Sequence, residues 1–129
     1  MSKKIIHTDH APQAIGIYSQ AVQVGQTLYI SGQIPLNPKT MEIISQEITL
    51  QIKQVFENLK AIIIAAQASF DDVVKLTAYM TNLKHFALFN EEMSRYFTPP
   101  YPARAVVGVQ SLPKGVQVEA DAILVLKSS

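Results

Sequence analysis

Val116-Gln117-Val118-Glu119-Ala120-Asp121-Ala122-Ile123-Leu124-Val125-Leu126 decides how the rest of the chain must fold. Its period is two, so it is a strand. Apolar residues fall on both of its faces, and Glu119 and Asp121 share one face with Ile123 and Val125. A strand that is apolar on both sides needs a cover on both sides.

The elements upstream supply one cover. Glu47 to Gln67 reads as a helix, because Ile48, Ile52, Val55, Phe56, Leu59, Ile62, Ile63 and Ala66 follow the three-and-four spacing of one apolar face. Ser45 is the expected N-cap, with Glu47 in the first turn. Leu83 to Phe97 reads as a second helix, capped by Asn82 and stopped by Pro99-Pro100, with Phe86, Phe89, Met93, Tyr96 and Phe97 as its stripe.

The remaining periodic segments read as strands: Lys3 to His7, Ser19 to Val24, Thr27 to Ser31, Val73 to Met80 and Ala103 to Val109. Gly25-Gln26 is the turn of a hairpin, and Gly32 ends its second strand. Two helices interleaved with strands imply right-handed β-α-β crossovers, with both helices on one face of a sheet. No third helix is available for the other face, so a second copy of the chain is the simplest cover.

The 129 residues amount to one domain, residues 1 to 129. Only 16% are charged against 48% hydrophobic, which favours a surface partly hidden in an oligomer. The net charge is +1 and the basic residues are scattered, so nucleic acid is not expected as the main partner. With no cysteine there is no disulfide and no thiol nucleophile. That fits a reducing cytoplasm, the expected location. Met1 to His7 has no signal-peptide pattern, and the longest apolar run, Ala61 to Ala66, is far too short to span a membrane.

A few polar residues stand where chemistry could use them. Arg104, set in Ala103-Arg104-Ala105-Val106-Val107, either pairs with Glu119 or Asp121 or holds a ligand carboxylate through its planar fork. Glu119 is that partner or a general acid–base. Asn90, on the apolar stripe of the second helix, either bonds to backbone or orients a ligand. Tyr18, Ser31 and Gly32 form a looser group, in which glycine lets backbone approach a ligand. His7, Asp9 and His10 have the spacing of a strand leaving for a loop, so no metal site is expected. His85 reads as a helix-surface residue.

Four runs together resemble a known family. They are Ala14-Ile15-Gly16-Ile17-Tyr18-Ser19-Gln20-Ala21, Ile30-Ser31-Gly32-Gln33-Ile34-Pro35, Tyr101-Pro102-Ala103-Arg104 and Leu112-Pro113-Lys114-Gly115-Val116-Gln117-Val118-Glu119. In order and spacing they resemble the Rid family of reactive intermediate deaminases (YjgF-like proteins), RidA type. The resemblance implies a chorismate-mutase-like α+β domain: a six-stranded mixed sheet, two helices on one face, and the last strand inserted between others. It implies a homotrimer with ligand sites in the clefts between subunits. The implied reaction is hydrolysis of 2-imino acids, formed from enamines that pyridoxal-phosphate dehydratases release, to 2-keto acids and ammonia. Neither metal nor cofactor is implied.

By the same resemblance, Arg104 would bind the substrate carboxylate, Glu119 would position or activate water, and Tyr18, Ser31, Gly32 and Asn90 would line the cleft. The cysteine that many members carry two residues after the arginine is here Val106, so a more apolar pocket is expected. A non-catalytic trimer that binds small carboxylates is the alternative. A ribonuclease or translation inhibitor, an activity also attributed to relatives, has less support.

Overall fold

The structure, a computed structural model, describes residues 2–127. Its strands are β1 (Lys4–Ile6), β2 (Ala21–Val24), β3 (Thr27–Gln33), β4 (Val73–Met80), β5 (Ala103–Gly108) and β6 (Val118–Val125). The helices are α1 (Ile48–Ala65), between β3 and β4, and α2 (Phe86–Met93), between β4 and β5. The six strands form one sheet in the order β1-β2-β3-β6-β4-β5. Only β4 and β5 run parallel; every other neighbouring pair is antiparallel. This is the six-stranded mixed sheet of an α+β domain, and its last strand lies between β3 and β4.

The register explains which side is buried. Leu28 faces Leu124, Ile30 faces Ala122, Ala78 faces Ala120 and Met80 faces Val118. These residues and Leu76 are buried and share a core with Ile52, Val55, Phe56, Leu59, Ile62 and Ile63 of α1. The stripe foreseen for α1 is thus the stripe that packs. Phe56 also joins the two helices, at 5.3 Å between ring centroids from Phe89 and 5.0 Å from Tyr96. Offset aromatic pairs of this kind add about 0.5–1.5 kcal/mol beyond burial.

The element ends differ from expectation for local reasons. Glu47, not Ser45, caps α1: its carboxylate accepts from the amides of Thr49 and Leu50, while the Ser45 hydroxyl accepts from the Glu47 amide. The second helix is shorter than Leu83 to Phe97. Asn82 caps a tight turn, Leu83–His85, and regular helix begins at Phe86. Met93 and Phe97 are buried all the same, so the apolar pattern reported packing beyond the end of the helix. The segment Lys3 to His7 shrinks to three paired residues. The strand Thr27 to Ser31 runs on past Gly32 to Gln33 across an irregularity in the ladder.

The opposite sheet face is open in the single chain. Tyr29 is 50% exposed, Val125 47% and Val107 41%. Glu119, Asp121 and Ile123 alternate with the buried residues of β6 on this same side and are half-buried. The apolar content of this face therefore has no cover within one copy.

Candidate active site

β5 and α2 build the first half of the site. Arg104 pairs in register with buried Leu76, which puts it on the helix side of the sheet. One guanidinium nitrogen, Nη1, donates to Asn90 Oδ1 at 2.5 Å and lies 3.6 Å from Met93 Sδ. The guanidinium carbon stands 5.2 Å from the centroid of the Phe86 ring. Phe86, Asn90 and Met93 lie on one side of α2, because residues four and three apart stack along a helix. An amide, a thioether and an aromatic face together fix the direction of the cation and leave its charge uncompensated.

Arg104 is exposed and has no carboxylate partner among the described residues. The ion pairs among the described residues are His7 with Asp9, and Arg95 with Glu91 and Glu92. Beside Arg104 lies a cleft of about 440 Å3, bordered by Asn90, Met93, Ser94, Tyr101 and Pro102. That volume is in the usual range of small-ligand sites, roughly 300–1,000 Å3.

The second half lies on the open face. Glu119 pairs with Tyr79 and stands between β3 and β4. Its carboxyl group lies across Gly32: a Cβ at position 32 would overlap Glu119 Oε2 and come within 3.0 Å of the carboxyl carbon. Ser31 ties this strand to the preceding loop. Its hydroxyl donates to the Ser19 carbonyl at 2.6 Å and its amide to the Gln20 carbonyl at 2.9 Å. Tyr18, 54% exposed, leads into that loop and lines a crevice together with Gly32.

Burial pushes the Glu119 carboxyl above its ordinary value, and the negative charge of Asp121 adds to the rise. Burial also raises Asp121, against the lowering effect of the Tyr79 hydroxyl, which donates to it at 3.1 Å. A half-buried carboxylate that is costly to ionise is a better proton acceptor once it is charged.

The six candidate residues thus fall into two groups, Arg104 with Asn90, and Tyr18, Ser31 and Gly32 with Glu119. The groups lie on opposite faces of the sheet. This excludes an Arg104 salt bridge to Glu119 or Asp121 within one chain. Asn90 is half-buried and bonds to Arg104, not to backbone. What Gly32 admits in this chain is the Glu119 side chain. Val106 points to the helix side, packs against the core and does not border the Arg104 cleft, so it does not make that cleft more apolar. Sequence reasoning assigned Phe86 and Met93 to the core stripe and overlooked Tyr101. The fourfold and threefold spacing of Phe86, Asn90 and Met93 was the available signal, but it needed the position of β5 to acquire meaning.

Known proteins match this chain over nearly its whole length. The model of the family described as Endoribonuclease L-PSP matches residues 8–126. The chain is 46% identical, over 97% of its own length and 98% of the relative's, to a 2-iminobutanoate/2-iminopropanoate deaminase of Dermatophagoides farinae. It superposes on a crystal structure of RidA from an Antarctic Psychrobacter with TM-score 0.92 and 50% identity, covering 95% of this chain and 99% of that one. It superposes on Escherichia coli TdcF with bound serine with TM-score 0.91 and 42% identity, covering 96% and 99%. With the fold and these matches in agreement, the chain belongs to the Endoribonuclease L-PSP family, which is also the YjgF or Rid family.

Proposed function

We propose that the chain hydrolyses 2-imino acids to 2-keto acids and ammonia, at a site that one copy opens with Arg104 and a neighbouring copy completes with Glu119. The observation that carries this reading is the guanidinium of Arg104. It is held in place by Asn90 and Phe86 and left without a carboxylate partner. A small carboxylate is the ligand that fits such a fork, at roughly 1.5–3 kcal/mol per charge-assisted hydrogen bond.

Glu119 supplies what the C=N carbon then requires. The carboxylate takes a proton from water as the water oxygen bonds to C2 of the protonated imine, and the C=N electron pair moves to nitrogen, giving a neutral carbinolamine. That proton then passes from the carboxylic acid to the nitrogen, and the C–N bond breaks as the hydroxyl proton goes to the carboxylate, releasing ammonia and leaving the 2-keto acid. General acid–base assistance of this kind contributes roughly 100- to 10,000-fold. Tyr18 and Ser31, beside Gly32, wall the cleft.

The uncovered sheet face, with Tyr29, Val107 and Val125 exposed, supports a homotrimer as the assembly that brings the halves together. The supply of imines would come from pyridoxal-phosphate dehydratases. The test adds the protein to a serine or threonine dehydratase and follows keto-acid release. Faster release is expected; an unchanged rate contradicts the reading.

A second reading rests on the same cleft. The Arg104 half is complete in one chain, so it supports carboxylate binding without turnover, as in a regulatory trimer. Ligand binding that is lost in Arg104→Ala, with no turnover by the intact protein, favours this alternative.

A further inference from the structure

Three ionisable groups sit together on the open face of the sheet. β6 presents Glu119 and Asp121, half-buried and two residues apart on one side of the strand. β4 presents Tyr79, the direct cross-strand partner of Glu119. The Tyr79 ring does not turn to that partner. It leans along the ladder instead, and its hydroxyl donates to Asp121 Oδ2 at 3.1 Å. Diagonal contacts of this kind lie within reach of an aromatic side chain.

The other ionisable groups on this face are Lys75 of β4 and Tyr29 of β3, both in register with Ile123. Lys75 takes part in none of the ion pairs among the described residues. β5, β2 and β1 carry only alanine and branched aliphatic residues on this side. In the proposed assembly, Arg104 of the neighbouring copy joins these groups.

Two carboxyls held this close on a half-buried face compete for one proton. Their hydrogen bonds decide which of them holds it, because a donor favours the charged form of the group it serves. The phenol has one proton to donate, and it goes to Asp121. Asp121 therefore keeps its charge, and the shared proton falls to Glu119. The electrostatics run the same way. Burial and the charge of Asp121 raise the Glu119 carboxyl, while the Tyr79 bond lowers Asp121 against the effect of burial. The phenol itself stays protonated, since burial and then the two carboxylates raise it.

We infer that Tyr79 is a positioning residue for the reaction: by donating to Asp121, it leaves Glu119 as the carboxyl that takes a proton from the attacking water and returns it. The inference rests on the proposed function and deepens it. Asp121 remains a fixed negative charge, which makes Glu119 the stronger base. Of the two carboxyls it is Glu119 that lies across Gly32, in the half-site already described. Without the hydroxyl the proton would divide between a carboxyl at that half-site and one further along the strand.

The test is Tyr79→Phe, which removes one oxygen and keeps the ring, so the packing of the sheet is retained. Isotope-edited carboxyl NMR on protein labelled in Glu and Asp follows each group directly. The Glu119 signal is the one lost in Glu119→Gln, and the Asp121 signal the one lost in Asp121→Asn. The pH–rate profile with 2-iminopropanoate follows the same base in turnover. In Tyr79→Phe, Asp121 should titrate at higher pH than in wild type and Glu119 at lower pH. The acid limb of kcat/KM should move to lower pH with Glu119. In an Asp121→Asn background, Tyr79→Phe should leave the limb where Asp121→Asn puts it. A merely structural role would lower the melting temperature and the plateau rate and move neither titration.

Unchanged titrations in Tyr79→Phe, or a limb that moves equally in the Asp121→Asn background, overturn the role of Tyr79 and leave imine hydrolysis standing. A wild-type protein that hydrolyses no imine overturns the proposed function, and the catalytic role of Tyr79 with it, even where the titrations shift as expected.

Discussion

Arg104 and Glu119 stand on opposite faces of one sheet: Arg104 lies in register with buried Leu76, and Glu119 with half-buried Tyr79. Because side chains alternate along a strand, no rotamer change brings the two together in one chain. A carboxylate clamp and a water-activating carboxylate can therefore serve the same substrate only across an interface. This relationship shapes the predictions below.

Arg104→Ala should lower kcat/KM for 2-iminopropanoate by on the order of 100-fold, the worth of a charge-assisted hydrogen bond. It should leave the melting temperature within a few degrees, because Arg104 is exposed and carries no structural ion pair. Steady-state kinetics and thermal unfolding check both halves of the statement. A collapse of stability instead would assign the residue to the fold.

Asn90 acts through Arg104. Asn90→Ala should raise KM roughly tenfold, as the loss of one hydrogen bond to a charged group would. In an Arg104→Ala background the same change should do almost nothing, and a double-mutant cycle measures the difference. Equal effects in both backgrounds would separate the two residues.

Gly32→Ala tests the approach of Glu119 to the backbone. The added Cβ would overlap the carboxyl oxygen, so Glu119 must move. The clash is with the end of a flexible side chain that can turn aside, so activity should fall while stability falls by less than the roughly 1–3 kcal/mol of core overpacking. Denaturant unfolding and turnover, measured on the same sample, check the pair.

The pH dependence follows from the raised Glu119. Burial and then Asp121 raise its carboxyl, so the folded chain holds a proton that the unfolded chain has released between the ordinary value of 4.5 and the raised one. Stability linked to this group is fully present below the ordinary value and falls as pH rises through the raised one. Glu119→Gln should therefore gain melting temperature over wild type at neutral pH, and the two should converge in acid. In the pH–rate profile, Asp121→Asn removes one of the two raising causes and should move the acid limb to lower pH.

Much of the fold was legible because it is written in local periods. The stripe from Ile48 to Ile63 gave α1, and alternation from Val118 to Leu124 gave β6 and its buried side. Ends were harder: Ser45, the expected cap, accepts from the Glu47 amide, while Glu47 itself takes the amides of Thr49 and Leu50 at the head of α1. The candidate residues were legible through motif, yet their division into two groups was not. It depends on β6 inserting between β3 and β4, and on the register that sets Arg104 beside Leu76, both contacts between distant parts of the chain. The crevice beside Gly32 was hidden for a similar reason, since Tyr18, Met41 and Pro113 reach it from distant segments.

The most direct measurement mixes two inactive variants. Arg104→Ala and Glu119→Ala are unfolded together, refolded as a mixture and assayed with 2-iminopropanoate. If the site joins Arg104 of one copy to Glu119 of the next, random assembly at equal amounts leaves about a quarter of the interfaces with both residues intact, and about a quarter of wild-type activity should return. A mixture as inactive as its components, in oligomers shown to be mixed, would contradict a site shared between copies.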